Sequence, residues 1–509
     1  MRILLIGALA LSCLACSAPP GRTAEPYGVV TFENSGAPAA QAAFARGMAL
    51  LHDFEYADAA VAFREAQAAD PGFAMAYWGE AMTNTHPVWF EQDLAQGRAA
   101  LAKLGPDPQS RAAKARTERE KAYLAAAEIL YGEGGKQARD LRFRDAMAEI
   151  HRRWPDDEDA AAFHALALLG TAHQGRDTAI YMRAAAVAEE ALPKAPEHPG
   201  LLHYLIHAYD DPAHAPLGMR AALIYGRVAP RAGHALHMTS HIFIARGMWD
   251  DVIAANEQAI RVSSEREAKD GRPAVVCGHY PEWRVYALLQ TRRMDEAAAA
   301  IAACRARALS ALERDREGRN ANRRSPVVSY ADMLVRQAVE TGKPVDRQAL
   351  PLGDGAYPRP AFRIAYADAL AAAGRADAAG LAAARRRMGS GSPDHDEQVM
   401  LGQVEALQAI AAGRTEPGLA KLRETAAAEA AAPFEFGPPG VPKPTQEVLG
   451  EVLARLGRPA EAAAAFRSAL DRAPGRTISV QGLAEAQGKA NRTATADPSS
   501  PAAAAHEAH

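Results

Sequence analysis

The sequence predicts an all-α protein built as a solenoid of repeated helical hairpins. Alanine is abundant, aromatic residues make up 6% of the chain, and runs of Val, Ile and Thr of strand length are scarce, as is typical of helical proteins. Small and aromatic residues recur with the spacing of two antiparallel helices, in a pattern about 34 residues long. Repeats that pack only on their neighbours allow one continuous array over a long chain.

The repeat is clearest at residues 40–71. Gly47, Phe63 and Pro71 occupy its positions 8, 24 and 32, where a small residue lets two helices approach, an aromatic ring fills the gap, and proline ends the second helix. Further copies begin at Pro199, Gly233, Gly278, near Pro360 and at Lys443, with degenerate units between them.

These positions resemble the tetratricopeptide (TPR) template. The resemblance implies a right-handed superhelix, and we expect about ten hairpins over residues 38–485, interrupted where proline and glycine exclude helix at 351–360 and 433–444.

The N-terminus predicts export. Arg2 precedes an apolar run of about ten residues that ends in small residues and Cys16, as in a secretory signal. The end of this segment resembles a lipoprotein lipobox, with Cys16 as the expected lipidated residue and Cys13 as its rival; a signal cleaved without lipid attachment is the alternative. We therefore expect residues 1–16 to form a lipoprotein-type signal segment, 17–37 to form a linker, and the protein to reside in the bacterial periplasm on a lipid anchor.

Two further segments carry predictions. Cys277 and Cys304 are the cysteines left after processing, and in an oxidising compartment they can form a disulfide; two buried thiols or a metal role for Cys277 are the alternatives. Residues 486–509, rich in Ala, Ser and Pro, are expected to be disordered.

The charge pattern excludes some functions. The 58 basic and 61 acidic residues give a net charge of −3, which provides no basic field for nucleic acid. The sequence contains no glycine-rich phosphate loop, nucleophile elbow or dinucleotide fingerprint.

Histidine is concentrated in one part of the chain. Seven of the sixteen histidines lie between residues 203 and 279, and His203 and His207 share one helix face because they are four residues apart. His237 and His241 repeat this pair 34 residues later. The same two positions on successive first helices of the hairpins therefore carry imidazoles.

The TPR resemblance implies that these positions line the concave groove. On that basis we predict a metal site in the groove region 199–290, with a ligand set of His203, His207, His237, His241, His279 and Glu282. Groups expected around the metal or facing a substrate are Asp210, Asp211, Glu80, His86 and Trp283. His214 and His234 are instead expected to cap a helix or face solvent, and His164 and His173 to be structural.

Imidazole and carboxylate together suit zinc, iron, manganese or copper. Neither His-x-x-x-His pair contains an internal Glu, which argues against a zinc protease. A metal-dependent enzyme is one interpretation of the site. The alternatives are a metal-free peptide- or protein-binding scaffold for an envelope assembly, and a metal chaperone or store.

Four segments resemble a largely uncharacterised family of long bacterial TPR proteins. They read YWGEAMTNTHPVW, HPGLLHYLIHAYDDPAHAPLG, HALHMTSHIFIARGMWDDVIAANE and EVLGEVLARLGRPAEAAAAFRSAL. The resemblance spans roughly residues 35–485 and strengthens the expected fold and histidine site, but it implies no reaction. Thr239 stands where the family pattern usually has proline after His-Met.

Overall fold

The predicted helical solenoid is confirmed. A computed structural model describes residues 26–496 apart from 320, 321, 323, 354 and 393. Within these residues the chain forms 23 α-helices, one short 3-10 helix (Pro87–Trp89) and one antiparallel two-stranded ribbon. None of the helices in these ranges is both long and apolar enough to cross a bilayer.

The elements follow in chain order. The first half contains α1 (Pro38–His52), α2 (Tyr56–Ala69), α3 (Ala74–Met82), β1 (Thr85–His86), β2 (Glu91–Gln92), α4 (Leu94–Leu104), α5 (Pro108–Ala112), α6 (Glu118–Leu130), α7 (Lys136–Arg153), α8 (Glu158–Leu169), α9 (Thr178–Ala191), α10 (Pro199–Tyr209), α11 (Ala215–Val228) and α12 (Gly233–Ala245). The second half contains α13 (Trp249–Lys269), α14 (His279–Gln290), α15 (Met294–Arg314), α16 (Pro326–Thr341), α17 (Pro358–Gly374), α18 (Ala378–Met388), α19 (His395–Ala411), α20 (Thr415–Ala431), α21 (Thr445–Arg455), α22 (Pro459–Arg472) and α23 (Thr477–Ala496).

Glycine lets successive hairpins pack in the TPR manner. The Phe63 ring of α2 lies so close to Gly47 and Gly79 that a Cβ on either glycine would come within 2.8 and 2.4 Å of it. One aromatic ring thus fills the space between its own hairpin and the next, and only hydrogen in place of a side chain leaves room for it. Phe466 is packed in the same way between Gly450 and Gly482.

Six hairpins share one turn. The first helix ends in a left-handed residue, and the next N–H donates back to the carbonyl five residues earlier, as Glu55 does to Leu50 at 2.9 Å, which is a Schellman motif. The left-handed residues are Phe54, Gly247, Arg292, Ala376, Gly413 and Gly457. At the three non-glycine positions this conformation costs roughly 1–2 kcal/mol.

The two distant parts of the array meet. Arg476, fully buried just before α23, donates to both carboxylate oxygens of Glu447 at 2.8 and 2.9 Å and lies 2.8 Å from Glu340. Its guanidinium also donates to the Tyr286 hydroxyl on α14 at 3.1 Å. The last hairpin is thereby fixed against the middle of the solenoid.

Two segments fill the hollow that the sequence predicted as a groove. One is the turn after α1, residues 52–55, here called the turn segment. The other is residues 433–440, before α21, here called the covering loop. Arg336 and Arg363 hold the covering loop by donating to the carbonyls of Pro439 and Gly440, each at 3.1 Å. The faces that line the hollow are therefore largely covered instead of open.

Two predicted boundaries are wrong. Of the expected linker 17–37, the described part packs on the core, because Phe32 is buried against Trp78 and Tyr123 with ring centroids 5.8 and 5.0 Å away. Of the expected disordered tail 486–509, residues 486–496 continue α23, since alanine favours helix and Ala486 is buried in the core.

Two further predictions concern the N-terminal signal segment and the pair Cys277 and Cys304. The signal segment, with Cys13 and Cys16, lies outside the described residues. The structure joins Cys277, ahead of α14, to Cys304 of α15 in a disulfide.

Candidate functional site

The two predicted histidine pairs lie side by side. His203 and His207 project from α10, His237 and His241 from α12, and the rings of His207 and His241 have centroids 5.6 Å apart. The repeat spacing places the pairs at equal heights on two neighbouring helices, so both face the same interior. All four side chains are buried.

The first group, here called the inner triad, consists of His203, His207 and His234. One ring nitrogen of each lies within 4.8 Å of those of the other two. The Nε2 atom of every member is buried and has no hydrogen-bond partner among the described residues. Three neighbouring histidines that each keep an unpartnered buried nitrogen are rare in folded proteins, because each such nitrogen costs free energy unless something binds it.

A hydrogen bond on the far side of the ring fixes the direction of the His203 lone pair. His203 Nδ1 donates to the backbone carbonyl of His52, in the turn segment, at 2.6 Å. A carbonyl only accepts, so the proton is on Nδ1 and the Nε2 lone pair points into the triad. His207 Nδ1 lies 3.6 Å from Asp210 Oδ2. This arrangement, with Nδ1 against an acceptor and Nε2 free, is that of metal-binding histidines.

The second group, here called the outer triad, consists of His237, His241 and His279, again with one ring nitrogen each within 4.8 Å of the others. The Nε2 atoms of His237 and His241 are 3.2 Å apart. The first residue of α14 supplies His279, which is exposed and has its ring centroid 4.5 Å from that of His237. The outer triad thus reaches solvent through one member.

Burial favours the neutral form of four of these imidazoles. Burial first, and then the neighbouring histidines, lower the pKa of His203, His234 and His237 well below the usual value. Burial also lowers the pKa of His241, although the hydrogen bond to Asp210 opposes the shift. Neutral imidazole is the form that binds metal.

Asp210 is the one buried carboxylate between the triads in the described part of the chain. Burial would raise the pKa of Asp210, but Arg176, 2.6 Å away, and the hydrogen bonds from the histidines outweigh it and hold the pKa well below its usual range. The carboxylate is therefore ionised and accepts from His241 Nδ1 at 3.0 Å.

Aromatic rings surround the histidines. Phe54, the left-handed residue of the turn segment, has its ring centroid 4.3 Å from that of His203. Phe436 of the covering loop lies 4.7 Å from His241. Trp283, expected to face the site, packs against all three histidines of the outer triad, with His241 at 4.6 Å. These rings exclude water from the nitrogens.

The structure does not bring Glu282 to the histidines. Its side chain turns toward α16, where Ser329 and Arg336 lie, and burial followed by the nearby Asp332 raises the pKa of Glu282 to about 7. Residues three apart on a helix differ by about 60° in direction. Glu282 lies against α16, whereas His279 lies against α12, so the prediction that Glu282 is a ligand beside these histidines is wrong.

Two other predicted groups also serve different contacts. Glu80 lies between α2 and α4, 2.8 Å from Gln67 and 2.6 Å from Lys103. His86 stacks on Tyr56 with centroids 4.1 Å apart. Each has its own local partner, so neither faces the triads.

Asp211 differs from Asp210, although the two are adjacent. Its carboxylate lies 2.8 Å from Arg176 and 2.8 Å from His214, near the start of α11. Asp211 therefore supports Arg176 from the side, whereas of the two only Asp210 contacts histidine rings of the triads.

The sequence interpretation missed His234, which was expected to cap a helix or face solvent. His234 and His279 both hold position 2 of their repeats, one residue after Gly233 and Gly278. Because His279 was predicted as a ligand, this equivalence could have predicted His234 as a ligand too. Phe436 and the His52 carbonyl carried no such signal, because they reach the site from far along the chain.

A third histidine group has a structural role. Asp159 Oδ1 lies 2.8 Å from His52 Nε2 and 3.4 Å from His198 Nε2. The remaining ring nitrogens contact the Tyr204 hydroxyl at 2.9 Å and the Leu201 N–H at 3.3 Å. Every ring nitrogen has a partner, so this group ties α1 to α8 and α10 and leaves no lone pair for a metal.

No family model matches the chain, and comparison with curated proteins finds no match either. Among solved structures, yeast Tom70 aligns with 90% of this chain and 97% of its own at 12% identity and a TM-score of 0.30. The TPR domain of P58(IPK) aligns with 89% of this chain and 99% of its own at 13% identity and a TM-score of 0.21. Both superpositions are loose, so the TPR-type description of the fold rests on the helix packing of this chain itself.

Proposed function

We propose that this protein binds a transition-metal ion in its inner triad. One observation carries the proposal: each of the three histidines has a buried Nε2 atom with no partner among the described residues, and one ring nitrogen of each lies within 4.8 Å of those of the other two. Leaving a buried acceptor unpaired costs roughly 1–3 kcal/mol, and one cation at the centre satisfies all three.

The spacing of the three ring nitrogens is close to the ligand spacing around a metal ion. Tetrahedral ligands about 2.1 Å from a zinc ion are roughly 3.4 Å apart, so the rings need only a small inward movement from separations within 4.8 Å. The Nδ1 atoms of His203 and His207, on the side of each ring away from the ion, face the His52 carbonyl and Asp210. Such contacts keep metal-binding imidazoles oriented.

The ligand set narrows the choice of metal. Imidazole alone suits zinc, copper, iron and nickel, whereas manganese prefers carboxylate oxygen. With Glu282 facing α16, the inner triad offers nitrogen only. Zinc, copper or iron is therefore the proposed ion among the four metals that the sequence suggested.

Three protein ligands leave one coordination position open, an arrangement found in catalytic zinc sites. Phe54 and Trp89 lie beside the third ligand, His234, with centroids 5.6 and 5.8 Å away. A small ligand at the open position would therefore be held in an apolar environment, where a metal ion polarises its ligand most strongly.

Calorimetric titration of metal-free, tag-free protein with zinc and with copper tests the proposal. We expect tight binding that is lost in His203→Gln/His234→Gln. The matched control is His151→Gln/His164→Gln, which alters another close pair with Nδ1 atoms 3.3 Å apart and should leave the tight site intact. Equal binding in wild type and the His203→Gln/His234→Gln protein would contradict the proposal.

A second candidate function is binding of an organic or peptide ligand. A cavity of about 860 Å³ adjoins the site, with Arg176, Asp210, Trp249 and Phe434 in its walls, and its size suits such a ligand. Metal-free protein that captures a peptide from a library as tightly as the metal-loaded protein would favour this function over the first.

We further propose that the protein is an exported lipoprotein anchored at Cys16. The apolar N-terminal run and the small residues before Cys16 support this. Metabolic labelling with a fatty acid in a bacterial host should mark the wild type and Cys13→Ser but not Cys16→Ser. Labelling of the Cys16→Ser protein would contradict the anchor position.

A further inference from the structure

We infer that the outer triad is a second metal position, so that the protein holds two ions in adjoining sites. This inference rests on the proposed function, because it assumes that the inner triad binds metal. It concerns His237, His241 and His279, whose ring nitrogens lie within 4.8 Å of one another.

The repeat architecture builds the two triads in the same way. The inner triad takes its i, i+4 pair from α10 and its third member, His234, from the first turn of the next hairpin's first helix, α12. The outer triad takes its i, i+4 pair from α12 and its third member, His279, from the first turn of α14. Each member of the outer triad therefore occupies the same repeat position as a member of the inner triad, one repeat further along the chain. Residues that can bind a metal at the inner triad thus have equivalents at the outer triad.

Hydrogen bonds fix the His237 lone pair. Asn256 donates from Nδ2 to the carbonyl of Val252 at 2.8 Å, which turns its Oδ1 toward His237. That oxygen lies 2.7 Å from His237 Nδ1 and can only accept, so Nδ1 carries the proton. The lone pair of His237 is therefore on Nε2.

Asp210 fixes the His241 lone pair. Arg176 donates to one oxygen of Asp210 at 2.6 Å, and the other oxygen accepts from His241 Nδ1 at 3.0 Å. The His241 lone pair is thus also on Nε2, 3.2 Å from Nε2 of His237. Two acceptors facing each other at this distance repel unless a cation lies between them.

A metal ion fits this position better than a proton. A shared proton satisfies two nitrogens, whereas an ion binds all three members, including His279. The 3.2 Å separation of the two Nε2 atoms is close to the roughly 3.4 Å between ligands of a tetrahedral zinc ion. Asn256 and Asp210 provide the outer contacts that orient metal-binding imidazoles.

The two positions adjoin but differ in access. Rings of the two triads have centroids 5.6 Å apart for His207 and His241, and 6.1 Å apart for His234 and His237. All members of the inner triad are buried, whereas His279 is exposed. The outer ion should therefore be removed first by a chelator.

Metal counting tests the inference. Metal-free, tag-free protein, with the tail histidines His506 and His509 changed to Gln in every sample, is dialysed to equilibrium against zinc and its metal content is measured. We expect two ions per wild-type chain and one per His279→Gln chain. Because His279 is exposed, this variant should fold, which circular dichroism checks.

The outcomes separate the two claims. One ion in wild type, unchanged in His279→Gln and lost in His203→Gln/His234→Gln, would overturn the second position and leave the proposed function standing. No bound ion in wild type would overturn both. Two ions in wild type, with one lost in His279→Gln and the other lost on adding His203→Gln/His234→Gln, would support the inference.

Discussion

Asp210 accepts a hydrogen bond from His241 Nδ1 at 3.0 Å, through the same carboxylate oxygen that lies 3.6 Å from His207 Nδ1. One buried carboxylate therefore contacts one histidine of each triad from behind. Arg176 holds the other oxygen at 2.6 Å, so the carboxylate remains ionised and fixed. The two triads are linked through this side chain.

Asp210→Asn should weaken metal binding at both triads. The amide carries no charge and can turn a donor toward the imidazoles, which upsets the orientation of both rings, and the loss of such outer contacts typically costs about 10–100-fold in affinity. Competition with a chelator of known affinity measures the change. Asp211→Asn is the matched control, because Asp211 contacts Arg176 and His214 but no triad member. Equal losses in the two variants would show that Asp210 acts only through Arg176.

The metal-free protein should lose stability as the pH falls below about 6.5, the ordinary pKa of histidine. Burial lowers the pKa of His203, His234 and His237 in the folded state. The unfolded chain therefore takes up protons below that pH while the folded chain does not, so stability is fully present above pH 6.5 and falls below it. Each such group contributes a slope of up to about 1.4 kcal/mol per pH unit.

Urea unfolding from about pH 8 to about pH 5 measures this slope. His203→Gln/His237→Gln provides the control, because removing two of the titrating groups should flatten the curve. If the stability of the wild type fell no more steeply with pH than that of the variant, the claim that these buried imidazoles are neutral would be contradicted.

Loss of the disulfide should weaken the outer triad selectively. Cys277 is two residues before His279 and is tied to Cys304 of α15, so the bond holds the segment that presents the exposed ligand. In Cys277→Ser/Cys304→Ser we expect zinc affinity at the outer triad to fall roughly tenfold, equivalent to about 1.4 kcal/mol, because the ligand is less preorganised. The inner triad, measured in a His279→Gln background, should be unaffected. A loss of equal size at both triads would point to general destabilisation.

Arg476→Met should destabilise the whole array. The variant removes the closest cation of the buried carboxylates of Glu447 and Glu340, and breaking a buried pair in this way costs about 3–5 kcal/mol. Chemical unfolding measures the change. Arg458→Met is the control, since its ion pair with Glu461 is exposed and its loss should change little. If the two substitutions lowered the free energy of unfolding by similar amounts, Arg476 would not be what fixes the last hairpin to the middle of the solenoid.

Much of this architecture is determined by local sequence pattern. The helices and the matched pairs on α10 and α12 follow from periodicity, since the 34-residue spacing repeats both the helix phase and the packing contacts. The two positions at which His234 and His279 occur are also equivalent within the repeat, although the sequence interpretation used only one of them.

The covering of the site could not be predicted in this way. His52 contacts His203 from 151 residues away, and Phe436 reaches His241 from an irregular loop. Such contacts depend on how tightly the superhelix winds, which results from many small packing angles and not from any one repeat. The prediction that Glu282 faces the histidines also failed because it depended on packing between helices. The position of a residue on its own helix does not determine which of two neighbouring helices its side chain contacts.

X-ray absorption spectroscopy of the metal-loaded protein tests the central claim most directly. If the free Nε2 atoms bind the ion, its first shell should contain nitrogen at about 2.0–2.1 Å, with the outer-shell scattering of at least three imidazoles. A first shell made mainly of oxygen, without imidazole scattering, would place the metal on surface carboxylates and contradict the account.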